Sequence, residues 1–218
     1  MRRIVLALGL VLFAGWCAAL FACMLRHDPN PSIKTARPVV TKTHKVKIEV
    51  TEQAAEVTLE AVFYNPNDTA LSGVYWFPLP EGAAISRFKI KIGDREVEGK
   101  LLEKGEARRF FIEAARQSRN AALLEYMDSR IIRCRVANIP PKGTVVVHLY
   151  YTQELKYSGG ITELVYPLAS ARNPDGTPIE DVSVTVHIRS KAPIRGVYSP
   201  AYRVKVDRKS ENEVVASY

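Results

Sequence analysis

Apolar and polar residues alternate with a period of two along most of the chain after Thr43. Val46, Ile48 and Val50 alternate with charged residues, and the same pattern recurs at residues 57–63, 88–92, 132–136, 145–151 and 182–188. Successive side chains of a β-strand point to opposite faces, so this alternation predicts strands with one buried face. About ten such segments, separated by turns such as Asn65-Pro66-Asn67-Asp68, predict a mainly β fold in the form of an antiparallel β-sandwich.

One segment, Glu103 to Asn120, has the period of an α-helix instead. Small and apolar residues recur at intervals of three and four and form a single stripe, at Ala107, Phe110, Phe111, Ala114, Ala115 and Ser118. Charged and amide side chains occupy the rest of the surface of this helix. The sequence therefore predicts one amphipathic helix, which packs against the β-structure and buries Phe110 and Phe111.

The N-terminus has the composition of a membrane anchor or an export signal. Ile4 to Leu25 is a run of 22 residues without a charge, and a helix of that length spans about 33 Å, enough to cross a bilayer. Arg2 and Arg3 precede it and would hold the N-terminus in the cytoplasm. A retained transmembrane helix is favoured over a lipoprotein acylated at Cys23 and over a cleaved signal peptide. All three alternatives place the folded part on the extracytoplasmic side, periplasmic or extracellular.

Composition divides the chain into four parts. Residues 1–26 form the anchor or signal segment, and residues 27–39 are proline-rich and predict an extended linker. Residues 40–168 carry the main β domain, and residues 169–218 form a β-rich C-terminal extension. Near the end of that extension, two predicted strands, Tyr202–Val206 and Glu213–Ser217, are expected to form an incompletely paired edge.

The net charge of +8 does not predict nucleic-acid binding. Residues 1–37 carry five basic residues and one acidic residue, which is half of the total charge. The other half is spread over the rest of the chain, whereas a nucleic-acid interface needs basic residues clustered on one face. Arg130, Arg133 and Arg135 come nearest to a cluster, and outward arginines on a strand are normally solvated. No nucleic-acid partner is expected.

No residue pattern predicts a catalytic residue, a cofactor or a metal site. Asp181-Val182-Ser183-Val184-Thr185 superficially fits an Asp-x-Ser-x-Thr metal signature, but the alternation there places the hydroxyls on the outer face of a strand instead of in a loop. His44, His148 and His187 have no ligand-type neighbour at i+2 or i+4, and His187 is expected to be a solvated strand histidine. Cys134 lies on a predicted inward face and has no disulfide partner in the folded part.

Several short motifs, taken in order, resemble the vault protein inter-alpha-trypsin (VIT) domain. Each motif alone is weak, and the ordered set, which covers Val40 to Leu168, is specific. The matching pieces are Tyr64-Asn65-Pro66, Tyr75-Trp76-Phe77-Pro78-Leu79-Pro80, Ile92-Gly93 with Gly99, Glu103-Lys104 with Glu106-Ala107-Arg108, Ala121-Ala122-Leu123-Leu124-Glu125 and Val136-Ala137-Asn138-Ile139-Pro140-Pro141. Two positions depart from the family pattern, since Phe111 stands where Tyr is usual and Ser118 stands near a usual Gly.

The resemblance implies a non-catalytic protein that acts through protein–protein contact. Together with the N-terminal segment, it gives a membrane-tethered extracytoplasmic protein, held in the membrane by Ile4 to Leu25. In the family, the domain is often followed by a von Willebrand A domain with a metal site. No such domain follows here, so one alternative is a truncated N-terminal part of an adhesion protein, and another is a von Willebrand A partner on a separate chain. A hydrolase with an unrecognised site, using His148 or His187 beside a nucleophile and a carboxylate, is the alternative from another class.

Overall fold

The computed structural model describes residues 3–7, 26–27, 37–102, 122–126, 131–168, 173 and 176–218. Within these ranges the chain forms sixteen strands and no helix. The strands are β1 (Arg3–Ala7), β2 (Arg26–His27), β3 (Val40–Thr51), β4 (Ala54–Tyr64), β5 (Leu71–Pro78), β6 (Ala83–Ile92), β7 (Arg95–Glu98), β8 (Lys100–Leu102), β9 (Ala122–Tyr126), β10 (Ile131–Ile139), β11 (Thr144–Glu154), β12 (Lys156–Ser158), β13 (Ile161–Val165), β14 (Asp181–Arg189), β15 (Lys205–Arg208) and β16 (Glu213–Ser217).

Two predicted elements fall largely or wholly outside the described residues. The amphipathic helix at Glu103 to Asn120 lies entirely outside them. Of the predicted membrane segment, Ile4 to Leu25, only the part within β1 is described, as a short strand that pairs with β13. No helix in the part of the chain that the structure describes has the length and apolar character needed to cross a bilayer.

The strands form three sheets, which confirms the mainly β prediction. The largest has eight strands in the order β15-β16-β14-β3-β4-β11-β6-β7, the second has five in the order β2-β5-β10-β9-β8, and the third is β1-β13-β12. The prediction that all strands are antiparallel is wrong, because β14 pairs with β3, β8 with β9 and β1 with β13 in parallel. Parallel neighbours need long connections, and residues 52–180 separate β3 from β14 along the chain.

The eight-stranded and five-stranded sheets contact each other through a row of aromatic rings. Phe63 of β4 lies 4.9 Å from Tyr75 of β5, and Phe77 of β5 lies 5.9 Å from Tyr151 of β11, measured between ring centroids. All four side chains are buried. The alternation at the start of the domain is confirmed, since β3 buries every second residue from Val46 and exposes the charged residues between. These buried faces leave the outer face of β3, β4 and β14 polar.

The C-terminal residues belong to the same sheet as the first strands of the domain. β16 has the predicted bounds, Glu213–Ser217, and lies between β14 and β15. The prediction that both C-terminal strands form an incompletely paired edge is therefore wrong for β16, because β14 pairs with its second side. Among the described strands β15 is the last of the sheet, with one side unpaired as predicted, and it starts three residues later than predicted.

Gly99 allows the backbone to pass close to the ring of Phe88. Its amide donates to the carbonyl of Phe88 at 2.9 Å, and an ideal Cβ at this position would lie 2.0 Å from Cδ1 of that ring. Phe88 is only 3% exposed and packs in the core, so the ring has little room to yield. Gly99 is part of the sequence motif that pairs it with Ile92-Gly93, and a larger residue at this position would clash with the ring of Phe88.

We expect Gly99→Ala to lower the free energy of unfolding by about 1–3 kcal/mol, the usual cost of overpacking a core. Urea unfolding followed by fluorescence measures the change. Gly196→Ala is the matched control, because a Cβ there meets no atom within 4 Å. Equal effects of the two substitutions would contradict the steric role of Gly99.

Candidate functional site

Charged side chains converge on the outer face of the large sheet where β14, β3 and β16 run side by side. The parallel register sets His187 beside Glu49 on β3, and the antiparallel register sets Arg189 beside Glu213 on β16. Residues in register on neighbouring strands project from the same face of a sheet. We call His187, Arg189, Glu49 and Glu213 the His187 cluster.

The imidazole of His187 lies between the two carboxylates of this cluster. Its Nε2 is 2.6 Å from Oε1 of Glu213, and its Nδ1 is 3.2 Å from Oε2 of Glu49 and 3.0 Å from Nη2 of Arg189. When the imidazole is neutral, Nε2–H donates to Glu213 and Nδ1 accepts from Arg189; when it is protonated, both nitrogens donate to the carboxylates. The hydrogen bond from His187 holds the pKa of Glu213 below its ordinary value.

A shallow hollow of about 260 Å³ opens beside the cluster and shares two of its residues. Glu49, Thr51, Ala54, Glu56 and Arg189 line it. Arg189 is the one cation among these lining residues. Its Nη1 lies 3.5 Å from Oε2 of Glu49, and its Nε lies 3.6 Å from Oε1 of Glu213 in the neighbouring cluster. The hollow and the cluster together therefore present an acidic, solvent-accessible surface.

The contacts of His187 and His148 in the described part of the chain do not form a catalytic triad. A catalytic triad needs one imidazole nitrogen against a nucleophile and the other against an orienting carboxylate. Both nitrogens of His187 face carboxylates and a guanidinium instead. The Nδ1 of His148 lies 3.9 Å from Glu60, and its ring stacks on Tyr150 with a centroid separation of 6.5 Å. In the described part of the chain, none of these contacts of His148 or His187 is with a nucleophilic side chain.

His44 is the third histidine of the folded part, and it is buried. It is 5% exposed, and its Nε2 lies 3.0 Å from the hydroxyl of the buried Tyr166. Burial lowers the pKa of His44 from 6.5 to about 4, so the imidazole is neutral at pH 7. Nearby, the side chain of the buried Asn173 bonds both the amide and the carbonyl of Thr41. No local pattern indicated this polar cluster inside the core, because residues 166 and 173 are distant from residues 41 and 44 along the chain.

The other residues that the sequence analysis considered as candidates are Asp181, Cys134, Arg133 and Arg135, and their contacts and burial are those of ordinary strand residues. Asp181 begins β14 and forms an ion pair of 2.9 Å with Lys45. No group of three or more histidine, cysteine or acidic side chains that could hold a metal ion occurs among the described residues. Cys134 is buried, which raises the pKa of its thiol. Arg133 and Arg135 lie half-buried on β10.

Two of the motifs that carry the family resemblance meet at Asn65. Its Nδ2 donates to the carbonyls of Thr69, Ile139 and Pro140 at 2.8, 3.1 and 3.1 Å, and its Oδ1 accepts from the backbone and side chain of Asn67, each at 3.0 Å. The side chain is completely buried. It therefore joins the loop after β4 to the end of β10, which explains why the two motifs occur together.

Comparison with known proteins agrees with these motifs. The family model described as the vault protein inter-alpha-trypsin domain matches residues 41–151. Protein mono-ADP-ribosyltransferase PARP4 from Mus musculus is 27% identical over 133 residues, which are 61% of this chain and 7% of that protein. The Mus musculus von Willebrand factor A domain-containing protein 5A is 31% identical over 54% of this chain and 15% of its own length. Inter-alpha-trypsin inhibitor heavy chain H6 from Homo sapiens is 24% identical over 80% of this chain and 13% of its own length.

The chain thus spans at most 15% of the length of these three relatives. Among solved structures, an M1 zinc metallopeptidase from Deinococcus radiodurans is similar with a TM-score of 0.38 and 12% identity, covering 84% of this chain and 39% of that one. Similarity at this level says nothing about function.

Proposed function

Since the chain belongs to the VIT domain family, we propose that it is a non-catalytic protein, tethered to a membrane on the extracytoplasmic side, that acts by contact with another protein. The observation that carries the proposal is the family match over residues 41–151. Two of the relatives, protein 5A and heavy chain H6, have names that give a domain or an assembly and no reaction. The transferase activity in the name of PARP4 belongs to a protein of which this chain matches only 7%.

The surface we assign to the partner is the His187 cluster with its hollow. The carboxylates of Glu49 and Glu213 lie 3.5 and 3.6 Å from the guanidinium of Arg189, and Glu56 lines the same hollow, so the surface favours a cationic side chain of a partner. Ion pairs hold Glu49 and Glu213 against His187 and Arg189 before binding, which reduces the ordering cost of association for these two carboxylates. Charged side chains held on the face of a sheet can recognise a partner by electrostatic complementarity, and this function does not require a catalytic group.

The membrane tether in this proposal is Ile4 to Leu25, supported by its 22 residues without a charge. The linker at residues 27–39 would set the β domain away from the lipid surface. A lipid at Cys23 would give the same topology by another chemistry. The test therefore uses a Cys23→Ser chain, in which only the hydrophobic segment remains to hold the protein.

We expect a photoreactive amino acid at position 56 to cross-link this chain to another protein in intact cells. After irradiation, membranes are washed with alkaline carbonate, and the chain and its adducts are recovered from the pellet by an affinity tag. Position 94 is the matched control, since Asp94 is also an exposed acidic residue but lies in the turn between β6 and β7. An adduct at position 56 and none at position 94 supports the proposed surface.

One outcome would contradict the membrane tether, and another would contradict the contact surface. Release of the Cys23→Ser chain into the carbonate supernatant would contradict the prediction that Ile4 to Leu25 is a membrane-spanning helix. Equal yields of cross-linked adduct at positions 56 and 94, or no adduct at either position, would contradict the acidic surface as the site of contact.

A second candidate is that the chain is the VIT part of an adhesion protein that also has a von Willebrand A domain. The observation in favour is the 31% identity to a von Willebrand factor A domain-containing protein, of which the match covers 15%. Reading the gene beyond the codon of Tyr218, and searching the purified material for a second chain with that domain, tests it. A von Willebrand A domain in either place supports this candidate, and its absence from both contradicts it.

A further inference from the structure

The strand β15 is an open edge of the eight-stranded sheet. Its four residues, Lys205, Val206, Asp207 and Arg208, are all exposed, and Val206 is 42% exposed although it is apolar. β16 pairs with its inner side, and no described strand pairs with its outer side. An edge of this kind offers free N–H and C=O groups to another strand.

The register between β15 and β16 determines which residues face outward. Lys209 N–H donates to the carbonyl of Glu213 at 2.9 Å, so these two residues form a hydrogen-bonded pair. Hydrogen-bonded and non-hydrogen-bonded pairs alternate in an antiparallel ladder. Lys205 and Asp207 therefore point their backbone groups toward β16, whereas Val206 and Arg208 point theirs toward the open side.

We infer that β15 pairs antiparallel with β15 of a second copy of this chain, about a twofold axis at Val206. In that register Val206 faces Val206 of the other copy, and the two residues exchange both backbone hydrogen bonds. Asp207 forms an ion pair of 2.6 Å with Lys209 of its own chain. In the dimer, Lys205 of each copy lies directly opposite Asp207 of the other and adds a second cation to that carboxylate, which gives two complementary charge pairs. The backbone direction, the apolar centre and the charges agree on this single arrangement.

Other twofold registers are unfavourable on the same grounds. An axis at Asp207 sets two aspartates opposite each other and turns inward-facing backbone groups toward the partner. An axis at Arg208 brings two arginines together and extends the pairing into the turn at residues 210–212, which is not a strand. Arg208 is also engaged with its own chain, because its Nη1 donates to the carbonyl of Ile194 at 2.8 Å.

This inference goes beyond the proposed function, because it concerns self-association at a sheet edge and holds whether or not the His187 cluster binds another protein. The pairing would join two eight-stranded sheets into one continuous sheet. Like any twofold contact, it closes after two copies and does not propagate into a fibre.

A disulfide across the axis tests the register directly. The full chain, with Cys17 and Cys23 changed to Ser, is purified in mild detergent, given either Val206→Cys or Arg208→Cys, and oxidised with diamide. Facing residues of a hydrogen-bonded pair have Cα atoms about 5.5 Å apart, within the range of a disulfide. The two thiols introduced by Arg208→Cys would be about 13 Å apart, since position 208 of one copy lies four residues out of register with position 208 of the other.

We expect a covalent dimer with Val206→Cys and none with Arg208→Cys. No dimer with Val206→Cys overturns the proposal. Equal dimer formation by both variants overturns it as well, because that is the result of random collision.

Charge reversal gives an independent measurement without a covalent bond. Lys205→Glu and Asp207→Lys each set like charges opposite each other in both pairs, and we expect each variant alone to self-associate about tenfold more weakly than the parent chain. An equimolar mixture of the two variants restores both pairs and should form a heterodimer of parental affinity. Sedimentation of the separate and mixed samples measures this. A mixture that associates no better than its components overturns the register.

Discussion

We expect Asn65→Ala to lower the free energy of unfolding by about 3–5 kcal/mol, a large share of the roughly 5–15 kcal/mol that stabilises a typical domain. The amide of Asn65 is the donor for three backbone carbonyls, of Thr69, Ile139 and Pro140, and it is fully buried. Alanine leaves those carbonyls without this donor, and water cannot replace it at a buried position. Urea unfolding followed by fluorescence measures the loss.

Two further substitutions separate the hydrogen bonds from the shape of the side chain. Asn65→Asp keeps the shape but turns a carboxylate oxygen toward the carbonyls, so it should be at least as destabilising as alanine at pH 7. Asn67→Ala removes two hydrogen bonds with the backbone of Arg37 and one with Oδ1 of Asn65, but it leaves the three carbonyls with their donor, and it should cost about 1 kcal/mol. A stable Asn65→Asp variant would show that packing, and not donation, is what the site requires.

We expect the protein to lose about 3 kcal/mol of stability between pH 6.5 and pH 4 through His44 alone. Its pKa is lowered from 6.5 to about 4 in the folded state by burial. The unfolded chain therefore binds a proton on His44 as the pH falls below 6.5, while the folded chain binds it only near pH 4. The stabilisation is fully present above pH 6.5, is lost progressively down to about pH 4, and changes no further below that.

The slope of unfolding free energy against pH distinguishes His44 from the other titrating groups. His44→Gln cannot titrate but retains a polar group near the hydroxyl of Tyr166, so its curve should be flatter between pH 4 and pH 6.5, whatever its stability at pH 7. His187→Gln is the control, because His187 lies on the outer face and is not buried in the core. If the slope of the unfolding free energy against pH is the same in His44→Gln as in the parent chain, His44 does not have a lowered pKa in the folded state.

Local patterns in the sequence predicted the strands and the family well. The alternation at Val46, Ile48 and Val50 predicts a strand with a buried face, and β3 has that face. The predicted strand Glu213–Ser217 has its observed bounds. The ordered motifs predicted the VIT family, which the match over residues 41–151 confirms. Each of these features depends on residues that are near each other in sequence, where backbone geometry fixes the spacing.

The candidate site could not be predicted in the same way. The alternation predicts a solvated strand histidine at His187, yet this side chain lies between Glu49 and Glu213. These contacts exist because β14 runs parallel to β3 and antiparallel to β16. Period-two alternation is the same in parallel and antiparallel strands, so it contains no information about sheet order or register.

The sequence by itself therefore determined the position of alternating strands such as β3 and β16, which side of β3 is apolar, and which family the chain belongs to. The tertiary structure alone decided that His44 is buried beside Tyr166, that Asn65 joins the loop after β4 to the end of β10, and that β16 pairs with β14. The physical reason is that hydrophobic periodicity acts along one strand, whereas ion pairs, buried hydrogen bonds and free edges depend on which strands become neighbours.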